Sequence, residues 1–501
     1  MSGLNILFIQ VDQLSAHFLR CYGDAVCHAP NLDRLASQGS VFETAYCNFP
    51  LCSPSRASMA TGRLCSEIGA YDNAAELPAS IPTYADYLRA AGYQTALSGK
   101  MHFIGPDQFH GFETRLTPDL YPADFSWVPN WGDEGERDTN DPRSVTVAGI
   151  CERSVQIDFD NLVTFKAVQH LYDIARSDDP RPFFLQVSYT HPHEPYLCQK
   201  KFWDLYEGSN IPLPAVPALN EKDHDAHSVR LLKDFGMLNV RFSDEDILTA
   251  RRAYYGSISY LDEMIGQILE TLSAIGKTEE TVIIFTSDHG EMLGERGMWF
   301  KKHFFEPSLR VPLMIAGGLF GKRRVKTPAS LIDLLPTFMG VAEGPGWTSG
   351  VEPLDGVDLA TFLEGENPDR PIYAEYLAEA TTAPIFMIRQ GRYKYVSSTD
   401  DPPLLFDVSS DGDERRNLSG QPAHDEAETR LQSMVRQRWD SEALSQSIKL
   451  SQRRRRLVLE ASKQGVRPRW NHGENTDTDV VWYRGETSYN EWAFKYLPVS
   501  K

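Results

Sequence analysis

Cys52 stands in Pro50-Leu51-Cys52-Ser53-Pro54-Ser55-Arg56-Ala57-Ser58-Met59-Ala60-Thr61-Gly62, immediately ahead of residues that start a helix well. Pro54 and Ser55 suit a first helical turn and Ala57 to Ala60 its continuation, so the thiol is expected where unpaired N–H groups and the positive end of a helix dipole meet. That is a place for anions, and Arg56 adds a cation that does not deprotonate at working pH. Two further acidic groups end what read as buried strands: Asp12 after residues 5–11, and Asp288-His289 after Val282 to Ser287. One carboxylate at a strand tip is as readily a helix cap, but its recurrence favours a shared metal site at the tips where ligands of open α/β sheets gather. Lys100 and Lys301 add cations; His191 and His193, interleaved with Pro192 and Pro195, suggest a fixed loop holding one imidazole. A thiol with two lysines and two strand-end carboxylates suits a compact dianion and a metal better than the rival, a papain-like thiolate nucleophile.

The Cys-x-Pro-x-Arg core resembles the signature of the type I sulfatases. Asp12-Gln13, Gly99-Lys100-Met101-His102, His191-Pro192-His193-Glu194-Pro195, Ser287-Asp288-His289-Gly290 and Trp299-Phe300-Lys301 leading to Arg310-Val311-Pro312 follow in that family's order. Residues 71–76, 121–125 and 201–207 with the aromatic tail narrow the likeness to the choline-sulfatase branch. The resemblance implies an alkaline-phosphatase-like fold and conversion of Cys52 to formylglycine. One hydroxyl of its hydrate would attack sulfur and expel the alcohol, and elimination would then release sulfate. It implies one divalent metal held by Asp12, Asp288, His289 and the modified Cys52; hard oxygen donors favour Ca²⁺, and the imidazole leaves Mn²⁺ open. Gln13 stands where the family often has an acid, and its amide is expected to remain an oxygen ligand. Arg56 would orient the formylglycine oxygens and Lys100 and Lys301 would hold the sulfate. His193 would be the general acid and His102 the base of the elimination, with Lys302 and His303 one step removed.

The same resemblance implies a leaving group with a quaternary ammonium. Trp127, Glu379 and Asn73 match its pocket, while Asn490 and Asn140 replace a tail carboxylate and a histidine, so a neutral alkyl or aryl sulfate stays open. A phosphonate monoester or phosphodiester hydrolase on the same scaffold and an unmodified, inactive binding protein are the other readings. The implied partners are a small sulfate ester, an enzyme that installs formylglycine, and further copies of this chain as a dimer or tetramer.

These residues need a sheet to bring them together. Residues 5–11, 93–97, 182–190 and 282–289 read as strands, Pro82 to Gly92 as a helix, and Ser243 to Gly276 as a long helix opened by a capping box. The fold class expected is α/β: a large mixed sheet sandwiched by helices over 1–365, a smaller antiparallel-sheet unit with a helix from about Ala423 to Trp439 over 366–445, and an extended tail over 446–501. The aperiodic, proline-rich stretch from Gly105 to Arg153 reads as a lid or substrate wall. Arg453 to Arg456 read as a solvated helix face, and the tail aromatics Trp470, Trp482, Tyr483, Tyr489, Trp492, Phe494 and Tyr496 need cover, which points to an intersubunit arm.

With 50 basic and 69 acidic residues the chain carries a formal charge of −19, which argues against nucleic acid and leaves an anionic substrate dependent on a local cationic site. Hydrophobic content of 41% fits a globular enzyme. No apolar run reaches bilayer length, so no membrane role is expected. Met1 to Leu4 run directly into the first strand without a leader pattern, and the seven cysteines do not look like a disulfide framework, so a cytoplasmic location is expected.

Overall fold

The strand Asn5–Val11 is buried along its whole length, which is why it reads as an unbroken apolar run. In the computed structural model, which describes residues 3–131, 140–466, 470 and 489–499, it lies inside an eight-stranded mixed sheet. Phe183–Ser188 and Thr281–Ser287 flank it in parallel. Gln94–Gly99 and Thr114–Arg115 extend one side in parallel; Leu313–Ala316 and Ser40–Phe42 extend the other as antiparallel neighbours, and Arg323–Val325 closes that edge parallel to Ser40–Phe42.

Alternate residues of the central strand face opposite ways. Ile6 and Phe8 join a core with Tyr84, Phe184 and Phe338, under the helices Cys52–Thr61, Tyr84–Ala90 and Leu334–Glu343. Leu7, Ile9 and Val11 join a second core with Leu185, Ile258 and Phe285, under Pro30–Gln38, Val155–Arg176 and Asp244–Ala274. The helix boundaries follow from local chemistry. Thr83 with Asp86 and Ser243 with Asp246 form capping boxes, and Gly276 at φ +71° lies just beyond the end of the long helix. Since the central strands run parallel, their C-terminal ends deliver Asp12, Lys100, the His191 loop and Asp288 to one edge.

Four details differ from the sequence reading. Cys52 is itself the first residue of its helix, with Leu51 extended as the cap, so the thiol belongs to the first turn rather than preceding it. The 105–153 stretch contributes order: Thr114–Arg115 is a sheet-edge strand, and Gly149–Ser154 pairs with Leu197–Gln199 and with Tyr496–Pro498. The four antiparallel strands from Ile372–Tyr376 to Leu404–Asp407 and the helix Asp425–Arg438 are present, but Tyr376, Phe386, Ile388 and Leu431 share the core of Phe8 and Phe338, so no hydrophobic break separates this unit near 365. Nor is there a break at 446, because the helix Ser441–Ser462 runs across it.

That helix also corrects the reading of the basic run. Arg453 and Arg454 are exposed, but Arg455 is buried and forms a two-pronged pair with the carboxylate of Asp72 at 2.6 and 2.7 Å. Arg456 donates to the Pro129 carbonyl (2.9 Å), and Gln452 accepts from the Trp131 N–H (3.1 Å). At the chain end, the strand Tyr496–Pro498 docks on its own chain, and Phe494 lies over the Arg143 guanidinium. Trp482 and Tyr483, and the side chains of Tyr489 and Trp492, lie outside the described residues.

Candidate active site

The first turn of helix Cys52–Thr61 meets the sheet edge, so the Cys52 side chain sits over the tips of strands Asn5–Val11 and Thr281–Ser287. Cys52, Asp12, Asp288 and His289 are all buried, and each offers one ligand atom within 4.8 Å of the others. His289 Nδ1 donates to the Gly290 carbonyl (3.0 Å), which leaves the Nε2 lone pair facing Cys52 Sγ at 3.2 Å, Asp12 Oδ1 at 3.6 Å and Asp288 Oδ1 at 3.7 Å. Burial holds His289 below its ordinary pKa although both carboxylates pull the other way, so the ring is neutral and able to ligate. Two carboxylates, a neutral imidazole and an oxygen on residue 52 after oxidation form a donor set that fits a divalent cation.

Cations surround these acids. Arg56 Nε donates to Asp288 Oδ2 (2.8 Å), and its Nη1 donates to the Lys100 carbonyl (2.7 Å) and Ser188 Oγ (2.8 Å). The Lys100 ammonium is bonded to Asp12 and lies 4.1 Å from the centre of the Tyr121 ring. Burial alone would raise Asp12, but Lys100, His193, Arg56 and His289 outweigh it and hold the carboxyl well below its usual range. In this geometry Arg56 and Lys100 fix the acids directly, and neither lines the open cleft.

Above the cluster opens a cleft of about 310 Å³, whose walls include Cys52, Asn73, His102, Trp127, His193, Lys301 and Glu379. Sequence reasoning named all seven, and the fold brings them to one surface. Asn73 Oδ1 accepts from the Ser53 N–H (3.0 Å), tying its loop to the Cys52 helix. His102 stacks on Tyr121 with centroids 4.8 Å apart, and neither ring nitrogen has a partner among the described residues. Burial and then Lys100 keep that imidazole neutral, against the pull of Asp119, which accepts from the backbone N–H groups of Met101 and His102. Of the paired histidines, His191 Nδ1 bonds to buried Asp160 (2.7 Å), whereas His193 faces the cleft. His193 Nδ1 donates to the Glu194 carbonyl (2.8 Å), and its Nε2 accepts from Lys301 Nζ (2.7 Å).

Gln13 departs from expectation. Its amide oxygen accepts from Lys301 (2.6 Å), and its amide nitrogen donates to Glu194 (2.6 Å) and to Glu291, so the side chain positions Lys301 instead of joining the ligand cluster. Burial would lower Lys301, but Glu194 leads a set of negative neighbours that raises its pKa instead, so the ammonium is firmly charged. Asn490 is buried on the helix Tyr489–Ala493 and is not among the residues lining the cleft. Asn140 does line it. Glu379 is at the cleft, but its carboxylate is 2.8 Å from Lys302 Nζ. Sequence reasoning gave no role to Tyr121 or Glu194, although both lie in segments that carry the resemblance, nor to Glu291, whose bonds to Gln13 and to the Phe300 N–H form only in the fold.

A sulfatase family model matches residues 4–344, and the model for the C-terminal part of N-sulphoglucosamine sulphohydrolase matches 294–440. The chain is 45% identical over 482 residues to a choline-sulfatase of Rhizobium meliloti, covering 93% of each protein. It is 32% identical over 433 residues to iduronate 2-sulfatase of Mus musculus, covering 75% of each. Among solved structures, a phosphonate monoester hydrolase of Silicibacter pomeroyi aligns with a TM-score of 0.70 at 26% identity, over 87% of this chain and 95% of that one.

Proposed function

The chain belongs to the sulfatase family, and we propose that it hydrolyses small alkyl sulfate esters of the choline sulfate kind, with formylglycine at position 52. The observation that carries this reading is the placement of Cys52 in the first turn of its helix, with Asp12, Asp288 and His289 around its sulfur and Lys301 at the cleft. The hydrated formylglycine supplies the nucleophile and the divalent metal the charge that activates it, with Ca²⁺ as the ion the carboxylate-rich donors favour.

The chain's own residues then divide the work. Arg56, bonded to Asp288 and 3.6 Å from Asp12, fixes both acids and lies beside residue 52. Lys301 approaches the ester oxygens and stabilises the charge that develops in transfer, held in place by Gln13 and Glu194. Lys100, bonded to Asp12 and set back from the cleft, acts on that charge through Asp12. His193 is the general acid toward the leaving oxygen through Nε2, the nitrogen that its Nδ1–H bond to the Glu194 carbonyl leaves open; delivery requires a proton on Nε2, with Lys301, which bonds to that nitrogen here, turned to the ester oxygens. His102, neutral and with neither ring nitrogen hydrogen-bonded among the described residues, would be the base that accepts a proton at residue 52.

We assign the chain to a reducing compartment, the cytoplasm, in line with seven free cysteines, six of them buried. Among the described residues no helix is long and apolar enough to cross a membrane. The likeness to a phosphonate monoester hydrolase keeps phosphonate and phosphate diesters as the second reading. The test pairs mass analysis of the peptide spanning residue 52, which should carry an aldehyde or its hydrate, with assays on a sulfate monoester and a phosphate diester. Full activity in Cys52→Ala would end the nucleophile assignment, and faster diester than sulfate turnover would favour the second reading.

A further inference from the structure

The carboxylate expected to receive a substrate cation is already paired within the chain. Lys302 Nζ lies 2.8 Å from Glu379 Oε1 and accepts no role as a solvated side chain, being 1% exposed. It also donates to Asn140 Oδ1 (3.0 Å), sits over the Phe235 ring at 4.9 Å, and has Asp234, which does not line the cleft, at 4.0 Å. Its backbone is held on both sides: the N–H donates to the Pro50 carbonyl (2.9 Å), and the carbonyl accepts from His227 Nε2 (2.8 Å). The residue adopts φ +80°, a conformation that a non-glycine residue keeps only where its surroundings impose it. Lys302 is therefore a fixed part of the wall that carries Glu379.

The consequence concerns the leaving group. A quaternary ammonium has no N–H to donate and is recognised by an aromatic face together with uncompensated negative charge. Trp127 offers the face, but the negative charge beside it is offset. Among the described residues lining the cleft, Lys301 lies 3.6 Å from Glu194 and Lys302 lies 2.8 Å from Glu379, so each of these two carboxylates has an ammonium beside it.

We propose that Lys302 is a specificity-determining residue whose ammonium fills the cation position of the leaving-group subsite, so that an uncharged alkyl sulfate is hydrolysed as efficiently as an ammonium-bearing one of the same shape. This rests on the sulfate-ester reading above. The subsite then selects by size and apolar contact with Trp127 and Tyr121 rather than by charge. Removing the lysine alone would expose Glu379 and create cation selectivity that the parent lacks.

The test compares kcat/KM for choline sulfate with that for its uncharged carbon isostere, 3,3-dimethylbutyl sulfate, at fixed ionic strength. The ratio should lie within about three-fold of unity in the parent, rise roughly ten-fold or more in Lys302→Met, and return toward unity in Lys302→Met/Glu379→Gln. The double variant removes both charges of the Lys302–Glu379 pair together, and Glu379→Gln in the parent background gives a second reading: it should move the ratio by less than about three-fold. A parent ratio above about ten, or a ten-fold loss of that ratio in Glu379→Gln, would overturn the proposal, as would an unchanged ratio in folded Lys302→Met. Failure of a formylglycine-bearing parent to hydrolyse either ester would instead remove the sulfatase reading on which the proposal stands.

Discussion

Replacing Arg455 by methionine should loosen the active-site wall from a distance. The Arg455–Asp72 pair joins helix Ser441–Ser462 to the loop that carries Asn73, and its side chains are 6% and 0% exposed. Without the guanidinium, Asp72 keeps the N–H of Ala74 at 2.9 Å but loses both prongs of its buried ion pair. Breaking a buried pair by removing one partner costs about 3–5 kcal/mol. At about 2.1 cal/mol/K per residue, the 501 residues have an unfolding entropy near 1 kcal/mol/K, so the melting temperature should fall by roughly 3–5 °C if the chain melts as one unit. Activity should fall further than stability implies, since Asn73 contacts the Cys52 helix and helix Ser441–Ser462 also holds the Trp131 N–H and the Pro129 carbonyl near Trp127. Small misplacements at a reacting centre cost up to about a hundred-fold, so a drop of roughly 10- to 100-fold in kcat/KM is expected. Asp72→Asn/Arg455→Met, which buries no unpaired charge, should regain most of the melting temperature. Scanning calorimetry and steady-state kinetics on the three variants decide it. An Arg455→Met enzyme that melts within 1 °C of the parent on the order-of-magnitude scale above and keeps its kcat/KM would refute the reasoning.

Asp288→Ala should reduce bound metal from about one per chain to well below half, because it removes a ligand and the anchor of Arg56 together; elemental analysis after gel filtration reads this, and retained stoichiometric metal would place the site elsewhere. Burial pushes Glu375 up to about 7 despite the N–H donors of Ser66 and Trp439, so the folded chain keeps a proton that the unfolded chain has lost above about 4.5. Its protonated form is favoured at the low end of that window, so stability should fall as pH rises through about 7, by about 3 kcal/mol for this group. The melting temperature measured from pH 5 to 8 should therefore decline less steeply in Glu375→Gln; parallel curves would contradict this. We also propose a homo-oligomer built on the C-terminal segment, supported by Leu457 and Val458, which stand 72% and 46% exposed on helix Ser441–Ser462. Leu457→Ser/Val458→Ser should lower the mass seen by light scattering, and an unchanged assembly would exclude that helix face as the interface.

Much of this protein was legible in its sequence because the information is local. Buried strands such as residues 5–11 announce themselves as apolar runs, and capping boxes at Thr83 and Ser243 mark helix starts. The strand-tip acids and the Cys52 segment carry chemistry in their residue types, so Asp12, Cys52, Asp288 and His289 could be named as candidates, and the fold brings them together. The pairings across the chain could not be named that way. Whether Glu379 meets a substrate cation or Lys302, whether Gln13 turns toward the metal ligands or toward Lys301, and whether Arg455 faces solvent or Asp72 all depend on partners 77, 288 and 383 positions away. A side chain's type sets what it can bond; only the packed tertiary structure sets which of its possible partners lies within hydrogen-bond reach, and burial then makes that one choice costly to change.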